Sequence, residues 1–434
     1  ASQTGFGRTG TVDWQTTPKT ATFTAVSGEG YFCNTSGGAF TVNLPAGSAG
    51  AIVSLADYAA TWQTNNLTVS PNGSEKIGGQ NTDVTLNTEG QSVTFVYVDS
   101  TQGWINTMDS TSNVRGIPPY IAATGGTILT CGNFKTHVFT GPGTFCVSKV
   151  ACCAADNAVE YLVVAGGASG ARYIAGGGGA GGVRTFTALT PANPINAPAG
   201  LTVTATSFPI IVGAGGAAVG PAGNTPTLKL CGAAGSVSTF STITSAGGGA
   251  GGQCAGSGSN GGSGGGAGGR GSGTGGSGNV PPTSPPQGNN GGNGQPGDGG
   301  GGGGGGATTV GALGTVPKQG GTGGTGAFLN DSFFGPTAPS YGQAPAPLAP
   351  NGRYFGGGGG AGGWDTPGDS LNNGGVGGGG SGTTAAPGGA GGNAGEAGFT
   401  NTGGGGGVAG ISSGVGNQPG AGGSGIVIIR YKFQ

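Results

Sequence analysis

Few residues in this chain are of a type that could do covalent chemistry. The single histidine, His137, sits inside the alternating stretch "KTHVFT". That pattern predicts a half-buried strand position rather than a general base. A Ser-His-Asp arrangement would rest on this one imidazole, and no G-x-S-x-G elbow supports it. Matches to G-x-G-x-x-G are frequent, but none opens a helix after a strand with an acidic residue about twenty positions on, as dinucleotide binding requires. The cysteines are Cys33, Cys131, Cys146, Cys152, Cys153, Cys231 and Cys254, with no C-x-x-C or Cys/His spacing suited to a metal. They read as buried thiols, or as one disulfide within the 131–153 cluster. Carboxylates are sparse, and nothing in the sequence pairs two as acid and base. The expectation is no enzyme, no cofactor and no metal site.

Recognition chemistry is better represented. Two islands, "FLNDSFFGPTAPSYGQAPAPLAPNGRYF" (328–355) and "WDTPGDSLNN" (364–373), interrupt long glycine runs. They bring the aromatic and cationic residues Phe333, Phe334, Tyr341, Arg353, Tyr354, Phe355 and Trp364 near Asn330, Asp331, Asp365, Asp369, Asn372 and Asn373. Flat rings beside amides and carboxylates are what a sugar-binding surface needs, and loops on a rigid scaffold are where recognition is usually placed. These residues are therefore candidate receptor-binding loops. The alternative is that the rings pack against the glycine runs, which lack side chains of their own. "NVPPTSPPQGNN" (279–290) and "LTPANPINAP" (189–198) are further loops.

The partners that can be excluded follow from charge. Lys and Arg total 14, Asp and Glu 15, and the net charge is −1. Nucleic acid and anionic membranes need clustered cations, and here the cations are scattered singly. No apolar stretch approaches the ~18 residues of a membrane span, so no membrane insertion is expected. No leader-like segment precedes the first strand, which predicts synthesis in a cytosol.

The elements that must hold the candidate loops fall into two regimes, because glycine is sparse before about residue 160 and abundant after it. Residues 1–116 contain nine short runs rich in Val, Thr and aromatics, from "TVDWQTT" to "GWINTMD", separated by turn residues. That is the signature of a β-sandwich or barrel-like domain, with Phe23, Phe32, Phe40, Val42, Leu44, Phe95, Tyr97 and Trp104 as its expected core. "SLADYAATWQ" is the one stretch that suggests a helical turn. Residues 117–126 read as a linker stiffened by two prolines. Residues 127–165 read as a β-hairpin region in which Gly141-Pro142-Gly143 joins "KTHVFT" to "TFCV". Residues 166–434 form the glycine-rich region, closed by the strand 425–434. The apolar pieces "SFPIIVGAGG", "VSTFSTITSAGGG" and "GIVIIRYKFQ" are expected to pair with "VEYLVVAGG" in a small sheet.

The glycine runs themselves decide the fold class. The chain holds 112 Gly and 26 Pro in 434 residues, close to a third. The hexapeptide GGGAGG occurs at 177–182, 247–252, 264–269 and 358–363, the last inside "GGGGGAGGW". Collagen needs Gly strictly every third residue, which "GGSGGGAGGRGSGTGG" breaks. Slack linkers do not repeat themselves or resume apolar strands after each run. The remaining reading is a bundle of polyproline-II-type glycine helices (polyglycine II), three residues per turn with no internal hydrogen bonds. Each N–H and C=O must then find a partner on a neighbouring helix, and bare backbones allow that approach. The isolated Ala of GGGAGG and residues such as Arg270 are expected to point outward. The fold class is thus all-β, with a small β-sheet framing a glycine-rich bundle.

The stretches "GRTGTVDWQTTPKTATFTAVSGEGYF", "HVFTGPGTFCV", "VEYLVVAGG", the GGGGAGG runs and the terminal "GGSGIVIIRYK" resemble the glycine-rich tail-fibre and virion structural proteins of marine phages, particularly cyanophages, over nearly the whole chain. Cys152–Cys153 stand where such proteins carry Gly, Ser or Asn. In composition the glycine region is also similar to phage adhesin tips built as polyglycine-II sandwiches. The resemblance implies a tail fibre or adhesin on the virion, a homotrimer or higher assembly. It implies attachment to other virion proteins through residues 1–116 and recognition of a host-surface glycan or outer-membrane protein. The alternative is a purely structural subunit of a head or collar decoration or of an extracellular filament.

Overall fold

A computed structural model describes residues 12–109, 120–151, 153–220, 230–297, 299–316, 319–344, 352–363, 372–383, 394–409, 411–412, 415–416 and 418–434. The chain divides into two compact units, Ala1–Pro118 and Pro119–Gln434. Apart from three short 3-10 turns, the regular structure of the described residues is all β.

In the first unit the nine alternating runs are nine strands: β1 (Asp13–Lys19), β2 (Phe23–Thr24), β3 (Glu29–Cys33), β4 (Phe40–Asn43), β5 (Ile52–Asp57), β6 (Leu67–Ser70), β7 (Val84–Leu86), β8 (Ser92–Asp99) and β9 (Gly103–Asp109). They form two sheets, β1-β3-β5-β8-β9 and β2-β4-β6-β7. The first six strands alternate between the sheets and pair in parallel, β1 with β3 with β5 and β2 with β4 with β6. The chain winds through successive rungs as solenoid chains do, and β7, β8 and β9 then close it with antiparallel pairs.

One apolar core lies between these two sheets. Val42, Leu44, Leu67 and Val69 come from one sheet and its flank, and Val53, Leu55, Phe95 and Trp104 from the other. Phe32, expected inside, instead packs on Trp14 with ring centroids 4.9 Å apart, while Tyr31 and Cys33 enter the core. Side chains alternate faces along a strand, so the expected phase was off by one residue. The stretch after β5 forms no α-helix. Its reversal is held by the Asp57 carboxylate, which accepts from the Thr61 and Trp62 N–H groups, each at 3.2 Å, and from Gly90 N–H at 3.1 Å. The reversal drives Trp62 to full burial, where its indole N–H donates to the Cys33 carbonyl at 3.3 Å.

The second unit contains β10 (Ala122–Thr124), β11 (Thr127–Cys131), β12 (Phe134–Phe139), β13 (Gly143–Lys149), β14 (Ala158–Val164), β15 (Val183–Phe186), β16 (Leu201–Thr202), β17 (Ser207–Ile211), β18 (Ser238–Phe240), β19 (Ile243–Ser245), β20 (Ala327–Asn330), β21 (Gly352–Phe355), β22 (Ile411–Ser412), β23 (Val415–Gly416) and β24 (Ile426–Lys432). One sheet runs β10-β13-β17-β18-β19 and another β11-β12-β24-β14-β15, with β16 beside β14. Three expectations change. Strand β10 lies within the segment read as a linker and pairs with β13. Strands β12 and β13 are not a hairpin: the Gly141-Pro142-Gly143 link carries the chain from one sheet to the other. The hairpin is β11–β12, with Cys131 opposite Phe134. Of the pieces expected beside "VEYLVVAGG", only the terminal one joins it, as β24 against β14.

Burial on both faces explains the continuous apolar runs Tyr161–Val164 of β14 and Ile426–Ile429 of β24. Val159, Tyr161, Val163, Val427 and Ile429 face a core shared with Phe145, Ile210 and Phe240 of the other sheet. Leu162, Val164, Ile426 and Ile428 face a second core with Phe333, Phe334 and Phe355. Where β14 begins, Glu160 lies opposite Arg430. Their buried ion pair is 2.9 Å long, and Thr187 Oγ1 donates to the other carboxylate oxygen at 2.9 Å. The guanidinium lies 3.7 Å from the Phe134 ring centroid.

The glycine runs are an ordered lattice. The N–H groups of Gly176, Gly179 and Gly182 donate to Gly252, Gly249 and Ala246 of one neighbouring run. Those of Gly177 and Ala180 donate to Gly302 and Gly305 of a second, and those of Gly178 and Gly181 to Gly406 and Gly403 of a third. Carbonyls of the same run accept from Ala165, Ala168 and Ala171, from Ser263 and Gly266, and from Gly359. One run is thus enclosed by six others, donating to three and accepting from three, with a recurrence of three residues. That recurrence is the geometry of a polyproline-II-type helix. The run 356–362 repeats the scheme: Gly357 and Gly360 donate to Gly377 and Gly380, Gly358 and Ala361 to Gly324 and Gly321, and Gly359 and Gly362 to Gly178 and Ala175. The alanines of GGGAGG do not point outward: Ala180, Ala267 and Ala361 are fully buried and Ala250 nearly so. In a lattice bonded on all sides, even the alanine position of an interior run is enclosed.

Candidate functional site

The bundle has two ends, and connectivity identifies them. The runs beginning at Ala165, Gly213, Ala246 and Gly356 leave β14, β17, β19 and β21, while those ending at Gly182, Ser236, Gly326 and Gly425 lead into or towards β15, β18, β20 and β24. One end therefore meets the sheets. At the other, the distal end, the chain reverses through 171–175, 252–256 and 269–273, among others, and Gln295 lies beside Gly300. Hydrogen bonds fix these reversals to one another and to their neighbours: Gly269 N–H donates to Ile174 O at 2.9 Å and Gln295 N–H to Gly300 O at 3.1 Å.

This arrangement separates the residues that the sequence singles out. Asn330, Asp331, Phe333, Phe334, Tyr341, Arg353, Tyr354 and Phe355 belong to the β20–β21 hairpin and the 3-10 turns Asp331–Phe333 and Gly335–Ser340, at the sheet end. Asn372 and Asn373 begin a run at the distal end, where Asn372 Nδ2 donates to Ala361 O at 2.9 Å and Gly323 N–H donates to Asn373 O at 3.0 Å. Trp364, Asp365 and Asp369 lie outside the described residues.

At the sheet end the rings are occupied with packing. Phe333, Phe334 and Phe355 are fully buried against Leu162, Val164 and Ile428, and Tyr354 is also buried. No ring face of these four is open to a sugar. Tyr341 stacks on Phe334 with centroids 5.6 Å apart, and burial raises its phenol pKa above the ordinary value. Arg353 is a backbone staple: its guanidinium donates to the carbonyls of Tyr341 (2.6 Å), Gly342 (3.1 Å) and Pro339 (3.2 Å). Asn330 Oδ1 caps the following turn by accepting from Ser332 N–H at 2.9 Å. Asp331 Oδ1 is buried without a hydrogen-bond partner among the described residues.

His137 is likewise structural in its surroundings. A carbonyl can only accept, so Nδ1–H donates to Gly125 O at 2.7 Å, and Nε2 accepts from the Tyr431 hydroxyl at 3.1 Å. Burial lowers the imidazole pKa, the Gly125 bond opposing it, and pushes the Tyr431 phenol up to about 12. The cysteines depart from the expected burial. Cys33 and Cys254 are buried, Cys131 and Cys146 half-buried, and Cys153 and Cys231 exposed, all as free thiols. Cys152 lies outside the described residues.

The distal turns display a different set of side chains. Tyr173 is half-buried and Arg270 exposed, and neither stands in an aromatic island. The available sequence signal is a large residue set between two glycine runs. A family profile described as a glycine-rich domain matches residues 140–432, more than half of the chain. No curated protein matches.

Proposed function

The chain belongs to the glycine-rich domain family, and from that membership and the geometry of the bundle we propose that it is a phage tail-fibre or adhesin protein that contributes to recognition of a host-surface glycan. The observation that carries this reading is the asymmetry of the second unit. A lattice of backbone hydrogen bonds anchors one end in sheets and gathers a set of chain reversals at the other. Such a lattice has little freedom to deform, and rigid scaffolds bearing loops are suited to recognition because less ordering entropy is lost on binding. The first unit would serve attachment to other virion proteins, and the assembled particle would carry the protein as a trimer or higher oligomer outside the cell. Binding, rather than catalysis, is the activity this reading assigns.

The test is adsorption. Fluorescently labelled protein is applied to a panel of bacterial strains, and phage infection of any labelled strain is measured with excess free protein. Labelling of at least one strain together with reduced infection supports the reading, and labelling of none rejects it. Burial of Phe333, Phe334, Tyr354 and Phe355 favours a second reading, a structural decoration or filament subunit without a receptor. Helical arrays of identical subunits, seen by electron microscopy, would support that alternative.

A further inference from the structure

The dipeptide Asn-Gly occurs at 72–73, 260–261, 290–291, 293–294, 351–352 and 373–374. Asparagine is a thermolabile residue, and it loses its side-chain amide most readily before glycine. A glycine nitrogen, with no Cβ beside it and a permissive backbone, can reach the asparagine Cγ. Asn351 lies outside the described residues. The other five asparagines stand in two different surroundings.

Four of them lie in the glycine runs and are clamped there. The Oδ1 atoms of Asn260, Asn290 and Asn293 accept from the N–H groups of Ser277, Gly278 and Gly275 at 2.8, 2.8 and 2.9 Å. The nitrogens that would have to attack are donors in the lattice: Gly261 to Ser277 O at 3.1 Å, Gly291 to Gly276 O at 2.9 Å and Gly294 to Gly273 O at 3.2 Å. Side chain and nitrogen are both tied to the neighbouring run, so neither is free to turn towards the other. At Asn373 the backbone is bonded on both sides, Gly323 N–H donating to Asn373 O at 3.0 Å and Gly375 N–H to Gly358 O at 2.8 Å. Asn72 is different. It is exposed, in a turn closed by Glu75 N–H to Asn72 O at 2.9 Å. Gly73 has φ of 54°, and a Cβ there would meet nothing within 4 Å. Among the described residues neither the Asn72 side-chain amide nor the Gly73 N–H has a hydrogen-bond partner.

We propose that Asn72 is the one of these five that deamidates spontaneously, and that the lattice keeps the other four intact. The Gly73 nitrogen bonds to Asn72 Cγ as the Cγ–Nδ2 bond breaks, and the Gly73 amide proton leaves with the amide group as ammonia. Water then opens the cyclic imide on either side, giving aspartate or, with the chain rerouted through the side chain, isoaspartate. Water is consumed, ammonia is released, and nothing is oxidised or reduced. Isoaspartate adds a methylene to the backbone inside the turn that positions Glu75. The Glu75 carboxylate accepts from Gly47 N–H at 2.8 Å and from the Trp104 indole N–H at 3.3 Å, and Trp104 is fully buried. The modification therefore acts on the core of the first unit, while the glycine-rich unit is chemically durable.

The test incubates the full chain in mildly alkaline buffer and follows each asparagine by peptide-mapping mass spectrometry, with aspartate and isoaspartate forms separated chromatographically. Asn72 converts at least about ten-fold faster than Asn260, Asn290, Asn293 and Asn373, whose runs must open before the nitrogen can reach Cγ. In denaturant, which removes the lattice, all five convert at similar rates. Aged wild type has a lower melting temperature for the first unit than the variant Asn72→Gln aged beside it. A lattice asparagine converting as fast as Asn72 in the native protein overturns the proposal. So do unequal rates that persist in denaturant, because they assign the difference to local sequence. Aged wild type as stable as aged Asn72→Gln, with isoaspartate formed at Asn72, overturns the effect on the core.

Discussion

Glycine-to-alanine replacement inside the bundle reverses the usual sign of that substitution. At a compatible position the change stabilises by about 0.4–1 kcal/mol through the unfolded chain. At Gly304 a Cβ would stand 2.5 Å from the carbonyl carbon of Gly178 and closer still to its oxygen. Carbon atoms make van der Waals contact at about 3.5 Å or more, so the two runs must separate by ~1 Å. The bonds joining those runs, Ala180 N–H to Gly305 O at 3.0 Å and Gly177 N–H to Gly302 O at 3.1 Å, would lengthen to about 4 Å and cease to be hydrogen bonds. Each leaves a buried donor and acceptor, at roughly 1–3 kcal/mol per bond, so Gly304→Ala should lose about 2–6 kcal/mol. Gly141→Ala is the control, because a Cβ there meets nothing within 4 Å. Calorimetric unfolding of both variants measures the difference. A Gly304→Ala protein as stable as Gly141→Ala would refute close backbone packing.

Three other outcomes follow from the sheets and their flanks. Arg430→Met strands Glu160 in a buried site and should cost about 3–5 kcal/mol, whereas Glu160→Met with Arg430→Met should cost much less, as paired denaturant titrations would show. Arg353→Met removes the donors to three backbone carbonyls and should lower stability by roughly 2–4 kcal/mol with faster proteolysis around 335–342. Burial holds the His137 pKa below its ordinary value, so protons bind preferentially to the unfolded chain. Its contribution is complete above ~pH 6.5 and is lost as pH falls from there towards the folded-state value. Denaturation from pH 7.5 to 5 should therefore destabilise the wild type more than His137→Phe, and parallel losses would contradict the assignment.

What the sequence disclosed follows from what its patterns encode. Alternating apolar residues placed all nine strands of the first unit, because period two reports a half-buried extended segment. The same pattern says nothing about the neighbouring strand, so the parallel winding of β1 to β6 was hidden, and so was the transfer between sheets at Gly141-Pro142-Gly143. The GGGAGG repeats pointed to bare rods, yet their alanines prove buried because the lattice is several runs deep. The aromatic islands looked like a sugar-binding surface because Phe333, Phe334 and Phe355 lie beside Asn330 and Asp331. Ring type alone cannot distinguish a platform from a core, and these three rings fill the space over β14 and β24.

Amide hydrogen exchange across the glycine runs tests the account most directly, because an isolated polyproline-II chain has no internal hydrogen bonds and a bundle has one for nearly every amide. Mass-spectrometric exchange of peptides covering 176–182 and 356–362 should show protection comparable to that of β14 and β24. Exchange of those glycine amides at the rate of an unstructured chain would contradict the lattice, and with it the rigid scaffold on which the proposed adhesin reading depends.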